Sequence, residues 1–434
     1  MSRLDELIRE LCPGGVEYKS LSDLFNTRNG YTPSKSNPEF WENGTIPWFR
    51  MEDIRENGRI LSSALQYVSE SAVKGSPFPA NSIIVATSAT IGEHALLTVP
   101  SLANQRFTYL MLKEQYKDKF DTKFLYYYCF KLDDYCKECL NQGNFASVDM
   151  KKFAKFAFPL VPLPVQREIV RILDNFTELT AELTAELTAE LTARKKQYEF
   201  YRDKLLTFGN VRGGATSDVI WRTIGEICKK IVSGGTPQAG NPEYYGGNIP
   251  WLRTQEVDWR EITDTAVKIT ESGLNASSAK WIPENCVIVA MYGATAAKVA
   301  INKIPLTTNQ ACCNLEIDEK HALYRYVFHW LCKEYLSLKA LGQGSQSNIN
   351  AQTIKQYKIP IPSLEVQAKI VNVLDNFDAI CSDLKIGLPA EIEARQKQYE
   401  FYRDALLTYA ATGKTILRQT DRQTDRQTDR TLTR

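Results

Sequence analysis

Apolar residues recur every three or four positions over two long segments of the chain. In the first segment they are Ile169, Leu173, Phe176, Leu179, Leu183, Leu187 and Leu191, continued by Tyr198, Tyr201 and Leu205. In the second segment they are Ile370, Leu374, Phe377, Leu384, Ile392, Tyr399, Tyr402 and Leu406. This spacing is typical of an amphipathic helix. A helix of such length, roughly 66 Å at about 1.5 Å per residue, leaves its apolar stripe exposed on its own. We therefore predict that the two helices pair in antiparallel orientation.

The two helical segments are copies of one another. The string VQREIVRILDNF from Val165 returns as VQAKIVNVLDNF from Val366. Likewise RKKQYEFYRDKLLTF from Arg194 returns as RQKQYEFYRDALLTY from Arg395. Both pairs have the offset between positions 165 and 366, which is 201 residues. The regions before them match more weakly, as in TPSKSNPEFW and TPQAGNPEYY. The chain is therefore organised as globule, helix, globule, helix.

Preserved helices beside diverged globules favour two different binding domains held in a fixed geometry over a duplication kept only for folding. We predict a mixed α/β (α+β) fold with a pseudo-two-fold internal duplication. Two similar globules would be separated by two long helical regions that pair as an antiparallel coiled coil. The predicted domains are residues 1–164, 165–210, 211–365, 366–412 and 413–434. The last is a low-complexity tail with RQTD three times, which we expect to be disordered.

Within each globule, short apolar runs alternate with Gly, Pro and Asn turns. Ile83–Ala86 and Val287–Ala290 predict buried strands. Thr122–Leu140 and Ala322–Leu341 predict one terminal helix in each globule. These helices are rich in Tyr and Phe, which we expect to lie in the core rather than to act as stacking platforms for bases.

The two helical copies differ in one repeat and one break. Three TAEL units occupy Thr180–Leu191 of the first copy. One unit adds about 6 Å and one turn plus roughly 40°, so the number of units would set the distance between the globules. The alternative is a simple-sequence accident that a helix tolerates. The second copy contains Gly387-Leu388-Pro389, which predicts a break or kink.

Composition narrows the class of protein. The 434 residues carry 53 Lys and Arg against 51 Asp and Glu, a net charge of only +2, which argues against a protein that grips nucleic acid by bulk positive charge. No apolar run approaches the roughly 18 residues of a membrane span, and the amphipathic N-terminus MSRLDELIREL lacks the apolar core of a secretory signal. The ten scattered Cys suggest reduced thiols in a cytoplasm.

Motifs that would mark an enzyme are missing from the sequence. The three His do not form an HExxH metal pattern. Cys136 and Cys139 form a CxxC without a second pair, which favours a buried structural role. No dinucleotide-binding GxGxxG is present, and the Gly-Lys-Thr at 413–415 lacks the upstream Gly of a phosphate-binding loop. A binding or scaffold protein is favoured over a methyltransferase or nuclease.

The duplicated VQxxIVxxLDNF and RxKQYEFYRDxLL strings, the TAEL array between unlike globules and GLPAEIEARQKQYEFYRD in the second copy closely resemble one family. It is the specificity subunit of type I restriction–modification enzymes. The resemblance implies that each globule is a target-recognition domain for one half of a bipartite, asymmetric site in double-stranded DNA. The helices would space the domains and dock two modification subunits, which two restriction subunits join. AdoMet, ATP and Mg²⁺ would act in those partners, with no cofactor in this chain.

Arg most often reads guanine, and Asn or Gln reads adenine. The candidate DNA-binding residues are polar residues of the repeated loop motifs: Arg50, Ser88, Thr90, Gln105, Arg106, Gln142, Asn144, Arg253, Thr295, Gln310, Gln343, Ser345 and Gln346. Matched positions could equally serve the phosphate backbone or the fold, because the two domains should read different bases. Base specificity would then lie in unmatched loops such as Glu52–Arg59 and Gln255–Glu261. The remaining alternative is a coiled-coil scaffold that does not bind DNA.

Overall fold

A computed structural model describes residues 2–141, 146–208, 219–342, 348–382 and 387–412. The chain forms two compact units. Unit 1 comprises Met1–Thr184 together with the chain from Ala394, and unit 2 comprises Ala185–Glu393. The predicted tail, residues 413–434, lies outside the described residues.

The helices include one much longer than the rest. In chain order they are α1 (Arg3–Leu11), α2 (Leu21–Leu24), α3 (Met51–Asn57), α4 (Thr122–Glu138), α5 (Met150–Phe153), α6 (Leu163–Leu205), α7 (Glu271–Asn275), α8 (Tyr324–Lys333), α9 (Tyr335–Ala340), α10 (Ala351–Gln356), α11 (Leu364–Ser382) and α12 (Leu388–Thr412). Helix α6 has 43 residues and contains all three TAEL units. None of the helices in the described ranges is long and apolar enough to cross a membrane.

The strands divide equally between the two units. Unit 1 contains β1 (Tyr18–Ser20), β2 (Phe25–Asn29), β3 (Ile46–Phe49), β4 (Ile60–Leu61), β5 (Tyr67–Val68), β6 (Ser82–Ala86), β7 (His94–Leu97), β8 (Leu102–Ala103), β9 (Phe107–Leu112) and β10 (Ala157–Pro159). Unit 2 contains β11 (Ile220–Thr223), β12 (Cys228–Ser233), β13 (Tyr245–Leu252), β14 (Glu261–Ile262), β15 (Lys268–Ile269), β16 (Val287–Ala290), β17 (Val299–Asn302), β18 (Thr307–Thr308), β19 (Cys312–Ile317) and β20 (Lys358–Ile361).

The sheets of the two units have the same topology. The five-stranded sheets run β2-β9-β6-β7-β4 and β12-β19-β16-β17-β14. The three-stranded sheets run β5-β3-β8 and β15-β13-β18, and the two-stranded sheets pair β1 with β10 and β11 with β20. Within both larger sheets, the last strand in order pairs in parallel, β4 with β7 and β14 with β17. The duplication predicted from the helical strings therefore extends through the diverged globules.

Both faces of each five-stranded sheet are covered, which explains the continuous apolar runs of the central strands. Ile83 and Val85 of β6 point into a core shared with α4, whereas Ile84 and Ala86 point into a core shared with β3. The alternation follows the two-residue period of a strand. In unit 2, β16 divides its side chains in the same way. The two predicted strands are confirmed.

The terminal helices of the globules confirm one expectation and correct another. The aromatic residues of α4 and α8 are mostly buried in the core, as predicted. The stretch Ala322–Leu341 is not one helix, however. It breaks at Glu334, whose backbone at φ −82° and ψ 10° ends α8, and whose carboxylate accepts a hydrogen bond of 2.6 Å from the Tyr357 hydroxyl.

The long helices pair in antiparallel orientation within each unit. In unit 1, Phe176 of α6 stacks on Tyr402 of α12, and the hydroxyls of Thr177 and Tyr399 lie 3.0 Å apart. Leu173, which precedes Phe176 in α6, shares a core with Leu407, which follows Tyr402 in α12, so the two helices run in opposite directions. In unit 2, α6 and α11 pair similarly, with Tyr201 stacked on Phe377 and Leu206 beside Leu374 and Ile370. The break between α11 and α12 occurs where Gly387-Leu388-Pro389 predicts it.

One glutamine fixes the start of each helical copy to its globule. Gln166 is fully buried; its Oε1 accepts from the Asp121 amide, and its Nε2 donates to the carbonyls of Lys119 and Val161, at 2.6 to 2.8 Å. In unit 2, Gln367 accepts from Leu323 N and donates to the carbonyls of His321 and Pro362, at 2.9 to 3.2 Å. Each glutamine thus joins the first turn of a long helix to the N-cap of the terminal globule helix.

One aspartate per unit links the same two helices farther along. Asp174 accepts from Lys123 Nζ and the Tyr127 hydroxyl, at 2.7 and 2.8 Å. In unit 2, Asp375 pairs with Arg325 and accepts from His329 Nε2 at 2.7 Å. Burial acts to raise the pKa of Asp375, but the bonds from His329 and Arg325 outweigh it, so that its pKa lies below the usual value of 3.8.

This depressed pKa sets a pH window for the stability of unit 2. A carboxyl whose pKa is lowered by folding stabilises the protein above its ordinary pKa and loses that contribution as the pH falls through the folded value. We expect Asp375→Asn to lower the free energy of unfolding by about 2 kcal/mol at neutral pH, since two charge-assisted hydrogen bonds are weakened. The difference from wild type should shrink below about pH 4. Denaturant unfolding at a series of pH values measures it.

The exposed carboxylate Glu319 offers a control in the same unit. The variant Glu319→Gln should remain close to wild type across the whole pH series. A gap for Asp375→Asn that stays constant down to pH 2 would contradict the assigned ion pair.

Both ends of the described chain meet in unit 1. Tyr409 of α12 donates to Asp5 Oδ1 at 2.7 Å, and the Tyr18 hydroxyl donates to the Ala411 carbonyl at 3.1 Å. Leu407 is fully buried in the same core as Leu4 and Ile8 of α1. The core of unit 1 therefore needs residues from the beginning and from the last described helix.

Candidate nucleic-acid interface

Four loops of unit 1 lie side by side at one edge of its sheets. The amide of Asn104 donates to the Phe49 carbonyl at 3.0 Å, and that of Thr87 donates to the Arg106 carbonyl at 3.0 Å. Tyr31 N donates to the Ala103 carbonyl at 2.8 Å. We call this surface the loop edge of unit 1 and define it as residues 30–32, 50–53, 87–92 and 104–106.

Unit 2 builds the same surface with the same main-chain bonds. The Asn309 amide donates to the Leu252 carbonyl at 2.9 Å, Met291 N to Ala311 O at 2.8 Å, and Gly235 N to Thr308 O at 2.9 Å. The loop edge of unit 2 is residues 234–236, 253–256, 291–298 and 309–311. Each globule thus carries one equivalent platform of loops on a frame of strands that the two units share.

The structure brings the described candidate residues together on these two edges. The loop edge of unit 1 contains Arg50, Ser88, Thr90, Gln105 and Arg106. The loop edge of unit 2 contains Arg253, Thr295 and Gln310. The other candidates, Gln142, Asn144, Gln343, Ser345 and Gln346, lie outside the described residues. Two residues that follow these undescribed stretches contact the loop edges. Ser147 forms a β-bridge with Ser88, and Ile349 N donates to the Met291 carbonyl at 2.9 Å.

Exposed glutamines occupy the same place on both edges. The Thr32 hydroxyl donates to Gln105 Oε1, and the Thr236 hydroxyl donates to Gln310 Oε1. The two threonines were not among the candidates, although they open the repeated TPSKSNPEFW and TPQAGNPEYY strings. Because this contact is identical in both units, it suits a shared task, either shaping the loop or contacting the phosphate backbone.

The matched arginines are held by local carboxylates. Arg50 is the N-cap of α3, and its amide donates to Asp53 Oδ2 at 2.7 Å. Arg253 N donates to Glu256 Oε1 at 3.3 Å, with its guanidinium 3.6 Å from the same oxygen. Asp53 and Glu256 also accept from amides twelve and ten residues onward, those of Leu65 and Ala266. Both arginines are half-buried and lie against the carboxylates of their own turns.

The unmatched segment Glu52–Arg59 differs from its prediction as a loop. Most of it is helix α3, which begins directly after Arg50, where the Asp53 carboxylate accepts a hydrogen bond from the Arg50 amide. In unit 2 the equivalent segment has only a single 3₁₀ turn, Thr254–Glu256. The two loop edges therefore differ in shape at this place as well as in sequence.

Among the residues that the structure describes, neither a metal-binding cluster nor a reactive cysteine is present. No group of three or more His, Cys, Asp or Glu there has the arrangement of a metal site. Cys136 and Cys139, the CxxC pair, are buried and unpaired. Burial raises the pKa of the Cys136 thiol to about 12, which keeps it protonated and inert at neutral pH.

Comparison with known proteins agrees with this architecture. The family model of the type I restriction modification DNA specificity domain matches the chain twice, over residues 13–193 and 217–394. The specificity subunit of the type I restriction enzyme EcoprrI from Escherichia coli is 42% identical over 406 residues, covering 88% of this chain and 93% of that protein.

Two solved structures share the fold. A chain from a structural study of complex assembly and conformational transition in the type I R-M system has a TM-score of 0.65 at 16% identity, covering 92% of this chain and 98% of that one. The HsdS subunit from Thermoanaerobacter tengcongensis has a TM-score of 0.52 at 16% identity, with coverages of 92% and 97%. Two matched domains and extensive identity lead to one conclusion: the chain belongs to the family of type I restriction–modification specificity subunits.

Proposed function

We propose that the two loop edges each read one half of a bipartite, asymmetric DNA site, so that this chain selects the sequence on which a type I complex acts. The observation that carries the proposal is the same platform built twice with different side chains. The frame that the two units share places the loops, and the loop residues that differ between the units allow two unlike half-sites to be recognised. Sequence is read through base edges, whereas phosphate contacts set position.

The candidate residues divide between these two tasks. Matched pairs such as Gln105 with Gln310 and Arg50 with Arg253 suit loop shape and backbone positioning. Arg106, Ser88, Thr90 and Thr295, with the candidates outside the described residues, remain proposed contacts to DNA. A larger share of base recognition would fall to segments that differ between the units.

The long helices serve as spacer and docking surface in this proposal. Two modification subunits would bind them, and two restriction subunits would complete the assembly. The methyl-transfer chemistry with AdoMet and the ATP- and Mg²⁺-dependent chemistry would belong to those partners. Residues 165–208 carry 7 basic and 8 acidic groups and residues 366–409 carry 5 and 7, a slightly acidic balance that suits contact with protein rather than with phosphate.

The charge balance leads to a prediction about the isolated chain. Residues 1–164 carry 19 basic and 19 acidic groups, so this segment has no net positive charge to attract the DNA backbone. We expect the chain alone to bind its site weakly, with a slope of log affinity against log salt shallower than about −3. The assembled complex should bind tightly with a steeper slope. Fluorescence anisotropy over a salt series measures both; tight, steeply salt-dependent binding by the chain alone would contradict this division.

The test of the proposed function is a map of modified bases. A host expressing this chain with its modification partner should show methylation at one bipartite motif with an unread spacer. Assembly of the complex is verified separately by co-purification. An assembled complex without any bipartite motif would refute the proposal and would fit a scaffold that does not bind DNA.

A further inference from the structure

The position before edge strands β4 and β14 differs sharply between the units. The carbonyls of Arg59 and Arg260 accept equivalent bonds from Leu96 N and Ile301 N of the neighbouring strand, at 2.8 and 3.1 Å. The preceding residue is Gly58 in unit 1, at φ +78°, and Trp259 in unit 2, at φ +49°. Glycine adopts this left-handed backbone freely, whereas a bulky L-residue is strained there. A tryptophan retained at such a place calls for a role that offsets the strain.

Trp259 is fixed by contacts with its neighbours, but its side chain remains partly exposed to solvent. Its amide donates to the Val299 carbonyl at 2.8 Å, which ties it to the end of the loop that carries Thr295. Lys298 Nζ lies 4.3 Å from the indole centroid, itself bound to Asp258 at 2.6 Å, and Tyr335 packs edge-on at 5.2 Å. The side chain nevertheless remains 39% exposed. An ordered aromatic ring therefore stands beside the loop edge of unit 2.

The following arginine points to different partners in the two units. Arg59 turns inward, where its Nη1 donates to the His94 carbonyl at 3.2 Å and lies 3.4 Å from the buried Asp133. Arg260 is exposed, and its Nε donates to the Glu256 carbonyl at 3.2 Å. That bond lays its side chain against the turn Thr254–Glu256, which packs on the turn Gly293–Thr295 of the same edge. The arginine is structural in unit 1 and presented to solvent in unit 2.

We infer that Arg260 reads a guanine of the second half-site and that Trp259, anchored to Val299, Lys298 and Tyr335, fixes the backbone from which Arg260 extends, an arrangement that unit 1 lacks. The inference rests on the proposed function. Phosphates are the same in both half-sites, so phosphate contacts should match between the units, whereas base contacts should differ. Arg260 with Trp259 is a difference of this kind. Bidentate pairing of Arg with guanine is the commonest specific contact in the major groove.

The experiment uses the complex assembled with its modification subunits. The motif of the wild-type complex is mapped first, and modification rates are then compared on DNA carrying each single base change in the second half-site. Arg260→Ala should lower the rate at the wild-type site by roughly 10- to 100-fold and abolish discrimination at one base pair. Arg260→Lys keeps the charge but not the paired donors, so it should lose the same discrimination.

Two further variants separate positioning from packing. Trp259→Gly relieves the backbone strain and should fold normally, with a smaller loss of discrimination at the same base pair. Trp281→Gly makes the same change at another exposed tryptophan of unit 2, which is 47% exposed, and should keep the wild-type motif. The first half-site and the spacer should stay unchanged in every variant.

The outcomes separate this inference from the proposed function. If the wild-type complex modifies a bipartite motif but Arg260→Ala keeps full discrimination, the base contact is refuted while the proposed function stands. If Arg260→Ala weakens all sequences equally and Arg260→Lys restores them, the residue contacts phosphate, and the inference also fails. If the wild-type complex has no bipartite motif, the proposed function itself fails.

Discussion

Deletion of one TAEL unit, Thr184–Leu187, is expected to abolish modification at the original sites and to create modification at sites whose spacer is shorter by one or two base pairs. The deletion lies within helix α6, at the boundary where unit 1 ends at Thr184 and unit 2 begins at Ala185. Four residues correspond to about 6 Å of helix, against about 3.4 Å per base-pair step along one strand. The helix contacts that define each unit, such as Thr177 with Tyr399 and Tyr201 with Phe377, lie on either side of the deleted residues.

The half-sites themselves should be unchanged, because the deletion touches neither loop edge. A map of methylated sites in cells that carry the variant measures both features at once. The matched control replaces Thr184, Glu186 and Leu187 with alanine, which preserves the length of the helix, and should keep the original spacer. New half-site sequences with the old spacing would overturn the assignment of α6 as the spacer.

Replacement of Gln166 with leucine is expected to destabilise unit 1 strongly. The leucine fits the volume of the site but satisfies none of the three main-chain groups that Gln166 contacts, at Asp121, Lys119 and Val161. Each buried group left without a partner costs about 1–3 kcal/mol, so for three groups we expect a total loss of at least about 3 kcal/mol. For a unit of this size the melting temperature should fall by about 10 °C.

The equivalent change in unit 2 provides an internal comparison. Gln367→Leu should destabilise unit 2 to a similar degree, and hydrogen exchange followed by mass spectrometry should place each loss in its own unit. Gln396→Leu, at an exposed glutamine of α12, serves as the control and should melt within about 1 °C of wild type. If Gln166→Leu melts as wild type does, the glutamine anchors neither helix.

The sequence reveals most of the architecture because the duplication repeats its helical signals. The heptad-like stripe predicts α6, and the motif Gly387-Leu388-Pro389 predicts the interruption before α12. The break at Glu334 is hidden in the sequence, because that segment contains neither Gly nor Pro. The contact of the Glu334 carboxylate with the Tyr357 hydroxyl is visible only in the structure. Helix α3 is missed because its N-cap is Arg50 rather than Ser, Thr, Asp or Asn, so the usual sequence signal for a helix start is absent.

The candidate interface is predicted less completely than the fold. The matching motifs Asn104-Gln105 and Asn309-Gln310 occupy equivalent turns in the two loop edges. A comparison based on matching motifs does not select residues that differ between the two copies. Trp259 aligns with a glycine, and only the backbone conformation shows that the two share a strained position. Arg59 and Arg260 look identical in sequence, and their partners distinguish them only in three dimensions.

The meeting of both chain ends in unit 1 has a consequence for biosynthesis. Unit 2 is one continuous segment, Ala185–Glu393, and can fold as soon as it leaves the ribosome. Unit 1 is translated first, yet its core waits for Leu407, and its first helix waits for Tyr409. Contacts between such distant positions form late. A premature stop codon shortly after unit 2 would therefore release a chain in which unit 2 is complete, whereas unit 1, although translated first, lacks part of its core.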